Sequence, residues 1–194
     1  MSTLRDPDPG LLFFSLLAAR WDGFWPGLLE DMAARFGPAS FVSEPFPFDR
    51  TTYYDGELGT PILRRVVAFD RLIPLDAMPD IKLWAMEVEA RLSHGGRRTL
   101  NLDPGYVTLE RVMLATGKNF THRLYLGKRI WGDLTLIFQR NRWVVLPWTF
   151  PDYAADPMLG MLTTLRSRFQ DLLARHKDPT GDGVRKPDAE ESNG

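Results

Sequence analysis

The chain begins with a nearly continuous apolar run and then changes to helical spacing. Residues 11–19 are almost all apolar, which is typical of a strand buried on both faces of a sheet. Apolar residues then recur at the spacing of one helix face up to Gly37, namely Leu28, Leu29, Met32 and Phe36. The pattern predicts a buried strand followed by a helix.

The middle of the chain alternates in the manner of strands on either side of a long irregular stretch. Residues 39–46 and 62–71 read as strands, and Pro47 to Pro61 as a loop between them. A loop of this length is often functional. A helix is predicted from Asp76 to about Ser93, followed by a short strand at 98–102.

The last third predicts more strands and one long helix. Thr108 can cap a short helix that ends at Gly117. Three strands with tight connections follow, which predicts an antiparallel meander over 120–126, 131–139 and 142–147. Apolar residues at helical spacing after Asp156-Pro157 predict a C-terminal helix.

This element order predicts an α+β fold. We expect a ferredoxin-like β-α-β-β-α-β unit, extended by an antiparallel three-stranded meander and a C-terminal helix, with one mixed sheet and helices mainly on one face. Residues 1–176 should form a single domain. Residues 177–194 should be a disordered acidic tail, because they have almost nothing apolar to bury. The run 11–19 is too short to span a bilayer, so we expect a cytoplasmic protein with no membrane partner.

Composition excludes several kinds of chemistry. The 194 residues include no cysteine, which excludes disulfides, a thiol nucleophile and thiolate metal sites. The three histidines are far apart and no HExxH occurs, so there is no zinc motif. No GxxxxGK[ST], GxGxxG or GxSxG segment is present. The cofactor is therefore unknown, and a divalent metal stays open.

Two charged residues interrupt the predicted strands. Glu44 shares a strand face with Val42 and Phe46, so its carboxylate should point toward the core or a cavity. Arg65 lies on the face of the next strand that carries Val67. Because a buried charge is costly unless it is paired, we expect Glu44 and Arg65 to meet. Such a pair is either purely structural or part of a site.

A second set of polar residues lies between Asn101 and Tyr125. Asp103 begins a predicted Asp-Pro-Gly turn, and Lys118 follows the predicted short helix. His122 and Arg123 lie on opposite faces of the next strand, and Arg123 can pair with Asp133 across the hairpin. His122 fits either a hydrogen-bonded core residue or a proton relay. Together these groups could bind an anion.

Stiff segments rich in aromatic residues and proline lie near both sets. One surrounds Tyr54 and the other Trp148. They either pack loops over the sheet ends or form a pocket wall that stacks on a planar ring.

Positive charge is concentrated in the later half of the chain. Residues 111–142 hold seven Lys or Arg and one acid, Asp133, whereas the whole chain has a net charge of −1. The run is either a solvated hairpin with basic turns or a contact surface for an acidic protein or RNA. Nucleic acid is the less favoured partner, because the basic residues lack interleaved exposed aromatic residues.

Several segments resemble the prokaryotic family called domain of unknown function 4416, whose members are sometimes labelled GTP-binding proteins. The segments that carry the resemblance, over about residues 10–175, are SEPFPF at 43–48, Tyr53-Tyr54, DIKLW at 80–84, NLDPGY at 101–106, LATGKN at 114–119, HRLYLGK at 122–128 and LPWTFPDY at 146–153. The resemblance implies a single domain and assigns no catalytic residue.

Two functional hypotheses follow, and whether the protein is an enzyme stays open. In the first, it binds a phosphorylated or nucleotide-like small anion, as a binding protein, hydrolase or transferase. Glu44 or Asp103 would act as base or metal ligand, and His122 as general acid/base. Arg65, Lys118 and Arg123 would hold the anion, and Tyr54 or Trp148 would stack. In the second, it is a non-catalytic interaction module that uses the basic hairpin of Lys128, Arg129, Arg140 and Arg142.

Overall fold

The computed structural model describes residues 3–178, which form nine strands and four helices. The strands are β1 (Gly10–Ala18), β2 (Ala39–Val42), β3 (Phe46–Pro47), β4 (Leu63–Ile73), β5 (Asn101–Val107), β6 (Arg111–Thr116), β7 (Arg123–Gly127), β8 (Ile130–Gln139) and β9 (Arg142–Val145). The helices are α1 (Gly27–Phe36), α2 (Asp55–Leu58), α3 (Met78–Arg91) and α4 (Met158–Lys177), and a short 3-10 turn, Leu75–Ala77, precedes α3. Lys177 ends α4, and residues 179–194 of the predicted tail lie outside the described residues.

All nine strands belong to one antiparallel sheet. Its order is β2-β4-β1-β5-β6-β8-β7, with β3 paired to β4 and β9 paired to β8. The α+β class with a large antiparallel sheet and a C-terminal helix is as predicted, but the sheet is not mixed. Every residue of β1 is buried, because this strand lies between β4 and β5 and is covered on both faces.

The two faces of β1 build two separate cores. Its even-numbered residues, such as Phe14, pack with α1 and α3. Its odd-numbered residues, such as Phe13, pack with α4. We call these the α3 face and the α4 face of the sheet. Helices therefore cover both faces, and the prediction that they lie mainly on one face is wrong.

The sequence pattern predicted a short helix over 108–117, but this segment is not helical. It forms a tight hairpin after Thr108 and then β6, which pairs with both β5 and β8. Val112 and Leu114 are buried on the α4 face. Pairing with two neighbouring strands outweighs the weak local preference for a helix.

The predicted turn at Asp103-Pro104-Gly105 is also wrong, because all three residues lie inside β5. Gly105 is required there, since a Cβ at this position would lie 2.7 Å from the carbonyl oxygen of Met113. Pairing between β5 and β6 covers Gly105 to Val107 and does not continue to Pro104, which has no N–H to donate.

The last three strands are not a simple meander. Strands β7 and β9 both pair with the same strand, β8, and β6 occupies its other edge. The two β-turns at the ends of β8 carry the basic residues predicted to form one hairpin surface. Because β8 has ten residues, the turn at Lys128-Arg129 lies about 30 Å from the turn at Arg140-Asn141. The predicted basic hairpin is therefore not one continuous patch.

Candidate functional site

A segment that follows β9 crosses the α4 face of the sheet and positions much of the candidate site. We call residues 147–153 the strap. The Trp148 indole Nε1 donates to the Leu134 carbonyl at 2.8 Å, and the Thr149 hydroxyl donates to the Thr135 carbonyl at 2.6 Å. At the far end, Asp152 pairs with Arg64 of β4. The strap thus connects β8 with β4.

Trp148 and His122 form a stacked pair beside the start of β7. Their rings are 4.9 Å apart and inclined by 10°. Phe120 contacts the imidazole at an angle of 64°. His122 lies in the turn before β7, not within the predicted strand. Its ring is therefore held by a stack rather than by core packing alone.

Asp133 connects His122 and Arg123 from beneath the stack. Its carboxylate Oδ2 lies 3.1 Å from His122 Nε2 and accepts from Arg123 Nε at 2.8 Å. Asp133 is 1% exposed. The pairing of Arg123 with Asp133 across the hairpin, expected from the sequence, is confirmed. One buried carboxylate therefore orients both side chains, which is stronger than an exposed ion pair.

Lys118 lies at the exposed end of this group. Its Nζ donates to the Tyr53 hydroxyl at 2.6 Å and lies 5.0 Å from the Tyr53 ring centre. Its carbonyl accepts from Arg123 Nη1 at 2.9 Å. Within residues 3–178, no carboxylate pairs with Lys118. Its positive charge is therefore available to a ligand.

Tyr54 connects this region to Asp103 of β5. Its ring contacts Tyr53 and Phe48. Burial raises the pKa of the Tyr54 hydroxyl, and the negative charge of Asp103 raises it further. The Tyr54 hydroxyl therefore stays protonated at neutral pH.

Asp103 is held by two donors. Its Oδ1 accepts from Lys82 Nζ at 2.9 Å, and its Oδ2 accepts from Asn101 Nδ2 at 2.6 Å. Burial acts to raise the Asp103 pKa, but the charge and hydrogen bond of Lys82 and the bond from Asn101 outweigh it, so the pKa is lowered. Asp103 is thus an ionised acceptor and a poor candidate for a general base at neutral pH.

A further ionic group lies where α3 meets the start of β5. Glu89 is buried and accepts from the backbone N–H of Leu102 at 2.6 Å. Arg98 bridges Glu89 and Glu57. Burial raises the pKa of Glu89, although Lys82 and this N–H act to lower it. This group ties the α2 loop to α3.

The structure reveals one buried charge that sequence reasoning missed. Arg64 is 3% exposed and pairs with Asp152 at 2.5 Å. Its guanidinium lies 4.8 Å from the Phe48 ring and 5.1 Å from the Tyr153 ring. The Arg64-Arg65 dipeptide was the available signal, because adjacent residues of a strand face opposite sides and one charge had to enter each core.

Glu44 and Arg65 do not form the expected pair. Strand β2 ends at Val42, so the alternation that predicted an inward Glu44 stops before this residue, and its carboxylate is exposed. Arg65 faces the α3 side of the sheet and donates from Nη1 to the Ser43 carbonyl at 3.1 Å. Its guanidinium stacks on Trp21 and Trp25.

Six of the eight predicted site residues therefore lie along one band on the α4 face of the sheet. They are Tyr54, Asp103, Lys118, His122, Arg123 and Trp148. None of the eight lines either of two surface clefts. One, of about 360 Å³, lies beside Thr108 and Phe169, and the other, of about 300 Å³, lies beside Leu28 and Arg91. The band is an open surface rather than a deep pocket.

In residues 3–178, no group of three or more histidine or acidic side chains is arranged to hold a metal ion. None of the helices described is long and apolar enough to cross a bilayer.

The sheet, its two cores and the strap define an α+β domain with a polar band across one face. Comparison with known families agrees with the sequence resemblance. The chain belongs to the family Domain of unknown function (DUF4416), whose model matches residues 8–169. No curated protein and no solved structure gives a significant match to the chain.

Proposed function

We propose that this protein binds a small anionic, nucleotide-like molecule on the surface formed by Tyr53, Lys118, His122 and Trp148. The observation that carries the proposal is the charge of Lys118, which no carboxylate in the described chain neutralises. It lies beside exposed aromatic rings, which suit a ligand that combines an anion with a planar ring.

Each residue has a distinct part in this proposal. Lys118 would hold the anionic group, and Trp148 or Tyr53 would stack on the ring. Arg123 would position Lys118 through its bond to the Lys118 carbonyl. Asp103 and Tyr54 border the surface, whereas Glu44 and Arg65 lie outside it and have no role here.

If the protein is an enzyme, a hydrolase or transferase, His122 is the residue that would act as its general acid/base. The Asp133 carboxylate lies beside His122 Nε2, and an imidazole that donates its one proton from Nε2 to this carboxylate keeps Nδ1 as an acceptor. An imidazole oriented in this way can take a proton from a bound ligand. The same contact also serves a purely binding role, so turnover needs its own measurement.

A ligand panel and two matched variants test the proposal. Thermal shift with nucleotides, including guanine nucleotides, sugar phosphates and divalent ions should show a ligand that raises the melting temperature. Calorimetry should then show about tenfold weaker binding in Lys118→Gln, because a charge-assisted contact is lost. Arg142→Gln removes an exposed positive charge from β9 and should leave binding unchanged. No stabilising ligand at 10 mM, or equal losses in both variants, contradicts the proposal.

A protein-interaction module is the second candidate, and one observation favours it. Large apolar side chains are exposed on and just before edge strand β7. Leu124 and Tyr125 of this strand are 73% and 59% exposed, and Phe120, which precedes it, is 61% exposed. Such residues at a sheet edge suit pairing with another chain. If the basic residues also contribute, binding should be salt-sensitive and weakened by Arg129→Glu and by Arg142→Glu. These residues belong to separate ends of β8, so the two reversals should act independently.

We also propose that β1 to β5, with α1 and α3, form a ferredoxin-like unit. The antiparallel order β2-β4-β1-β5 supports this, as does the packing of α1 and α3 in one core. An experimental structure with a different strand order would contradict it.

A further inference from the structure

The α3 face contains a cation, Arg65, that pairs with no carboxylate among residues 3–178. The Arg65 guanidinium lies 4.7 Å from the Trp25 ring and 5.3 Å from the Trp21 ring. Its only hydrogen bond in the described chain runs from Nη1 to the Ser43 carbonyl. A desolvated cation is costly unless an anion balances it, and stacking on aromatic rings offsets only part of that cost.

Two N–H donors in this cluster are buried with no acceptor in the part of the chain that the structure describes. They are Nε of Arg65 and Nε1 of Trp21, and Trp21 is only 9% exposed. Buried polar groups nearly always have a hydrogen-bond partner, so two missing acceptors in touching side chains need a cause. Because Nη1 is occupied, the free edge of Arg65 is the Nε–Nη2 fork, which matches two oxygens of one oxyanion.

The adjacent arginine shows what a complete site of this kind contains. Arg64 also contacts two aromatic rings, those of Phe48 and Tyr153, and its Nη2 pairs with the carboxylate of Asp152, although its Nε is also buried without an acceptor in the described chain. Arg65 has the two rings without the carboxylate. Arg65 is partly exposed, but its Nε and the Trp21 Nε1 are themselves buried, so an anion reaches them only if the neighbouring side chains shift.

We propose that Arg65, Trp21 and Trp25 form a binding site for a small oxyanion, either a carboxylate or a phosphate. The Arg65 Nε–Nη2 fork binds two of its oxygens, and the Trp21 indole N–H donates to the anion as well. This site lies on the opposite face of the sheet from the Lys118 surface and does not depend on the function proposed there.

Nuclear magnetic resonance of the full chain tests this site directly. The ¹⁵N-bound proton signals of Arg65 Nε and the Trp21 indole are followed during titration with sodium phosphate or sodium acetate at constant ionic strength. Both signals should shift with one saturating curve for at least one anion, and the comparison of the two titrations identifies which source of oxygens fits.

Variants assign the response to this cluster. Arg65→Lys keeps the charge but removes the fork, and it should weaken binding at least about tenfold. Trp21→Phe keeps the ring and removes the N–H, so it should weaken binding about threefold to tenfold. Arg71→Lys, an exposed arginine later in β4, should bind as the parent does.

Three results would overturn the proposal. The first is the absence of a saturating shift with 50 mM of either anion. The second is unchanged affinity in Arg65→Lys, which would locate the anion elsewhere. The third is a crystal structure with phosphate present that shows only an ordered water on Arg65 Nε. Lys118→Gln should leave these titrations unchanged, so failure here is distinguishable from failure of the Lys118 surface.

Discussion

Arg64 and Arg65 are neighbours in β4, yet their side chains lie on opposite faces of the sheet in surroundings that differ in charge. Each guanidinium contacts two aromatic rings. Arg64 pairs with Asp152 of the strap, whereas Arg65 donates one hydrogen bond within the described chain, to a backbone carbonyl. One strand therefore carries a cation paired with a carboxylate on one face and, within the described residues, a cation paired with none on the other.

The comparison separates a structural charge from a candidate binding charge. A guanidinium that is already paired with a carboxylate contributes little binding free energy to an anionic ligand, since the ligand would have to displace that carboxylate. A guanidinium that is not paired with a carboxylate acquires a counterion when an anionic ligand binds, so the ligand displaces nothing. The same reasoning distinguishes Lys82, which is paired with Asp103, from Lys118, which is not paired with a carboxylate in the described chain.

Removing the counterion of Arg64 should have the largest effect on stability. Asp152→Asn leaves a buried guanidinium without its paired carboxylate, which costs about 3–5 kcal/mol of unfolding free energy. Urea denaturation measures the loss. Asp156→Asn, at an exposed aspartate four residues later, should cost less than about 0.5 kcal/mol.

A double variant sharpens that result. Arg64→Met with Asp152→Leu removes both charges, and it should be more stable than Asp152→Asn alone, because no buried charge is left unpaired. If the double variant is no better than the single one, the strap is held mainly by packing, and the electrostatic account of Arg64 is wrong.

Asp103→Asn should come next in size. It leaves Lys82 buried without its carboxylate, and we expect a loss of about 2–4 kcal/mol at pH 7. The folded pKa of Asp103 is lowered, so its contribution is present above the ordinary aspartate pKa and is lost as pH falls through the folded pKa.

The pH dependence provides the check. Urea unfolding of the parent and of Asp103→Asn from pH 7 to pH 2.5 should show that the difference between them shrinks at acid pH. Glu89 acts in the opposite direction, because its raised pKa makes the folded state bind its proton more tightly and adds stability as pH falls. A difference that stays constant over this range contradicts the role given to the Asp103 charge.

The hydroxyl of Thr149 should have a smaller effect. It donates to the Thr135 carbonyl and accepts from the Leu146 N–H, so it fixes the strap near Trp148. Thr149→Val should cost about 1–2 kcal/mol and Thr149→Ser much less, since serine keeps the hydroxyl. Equal losses in the two variants would mean that the Thr149 methyl group, not its hydrogen bonds, holds the strap.

The sequence predicts the elements whose apolar pattern reflects burial. The continuous run of β1 and the helical spacing of α1 and α4 identify these elements, because each buries its apolar residues in a large core. The pattern fails at Asp103-Pro104-Gly105, which has turn composition but lies in a strand held by β1. That pairing joins residues about 90 positions apart, so no local signal reports it.

For the candidate site, too, the sequence predicts contacts between residues that are close along the chain better than contacts between distant ones. The polar residues around Lys118 and His122 do meet, because a single hairpin brings most of them together. Glu44 and Arg65 do not meet, since β2 ends two residues before Glu44. Arg64 was overlooked because its partner, Asp152, lies 88 positions later in a segment that the sequence marks only as aromatic.

Removing the charge of Arg65 should have the smallest effect of all, and it is the sharpest test of the comparison with Arg64. Arg65→Met keeps an unbranched apolar stem against Trp21 and Trp25 and removes a cation without a carboxylate. The lost cation–ring contacts and the relieved desolvation cost act in opposite directions, so we expect a change within about 1 kcal/mol in anion-free buffer. Added phosphate should then stabilise the parent more than it stabilises Arg65→Met, because an anion that binds the folded state adds stability. Urea denaturation with and without phosphate measures this difference. A loss as large as that of Asp152→Asn in anion-free buffer would show that Arg65 is as structural as Arg64, and the distinction between the two faces would fail.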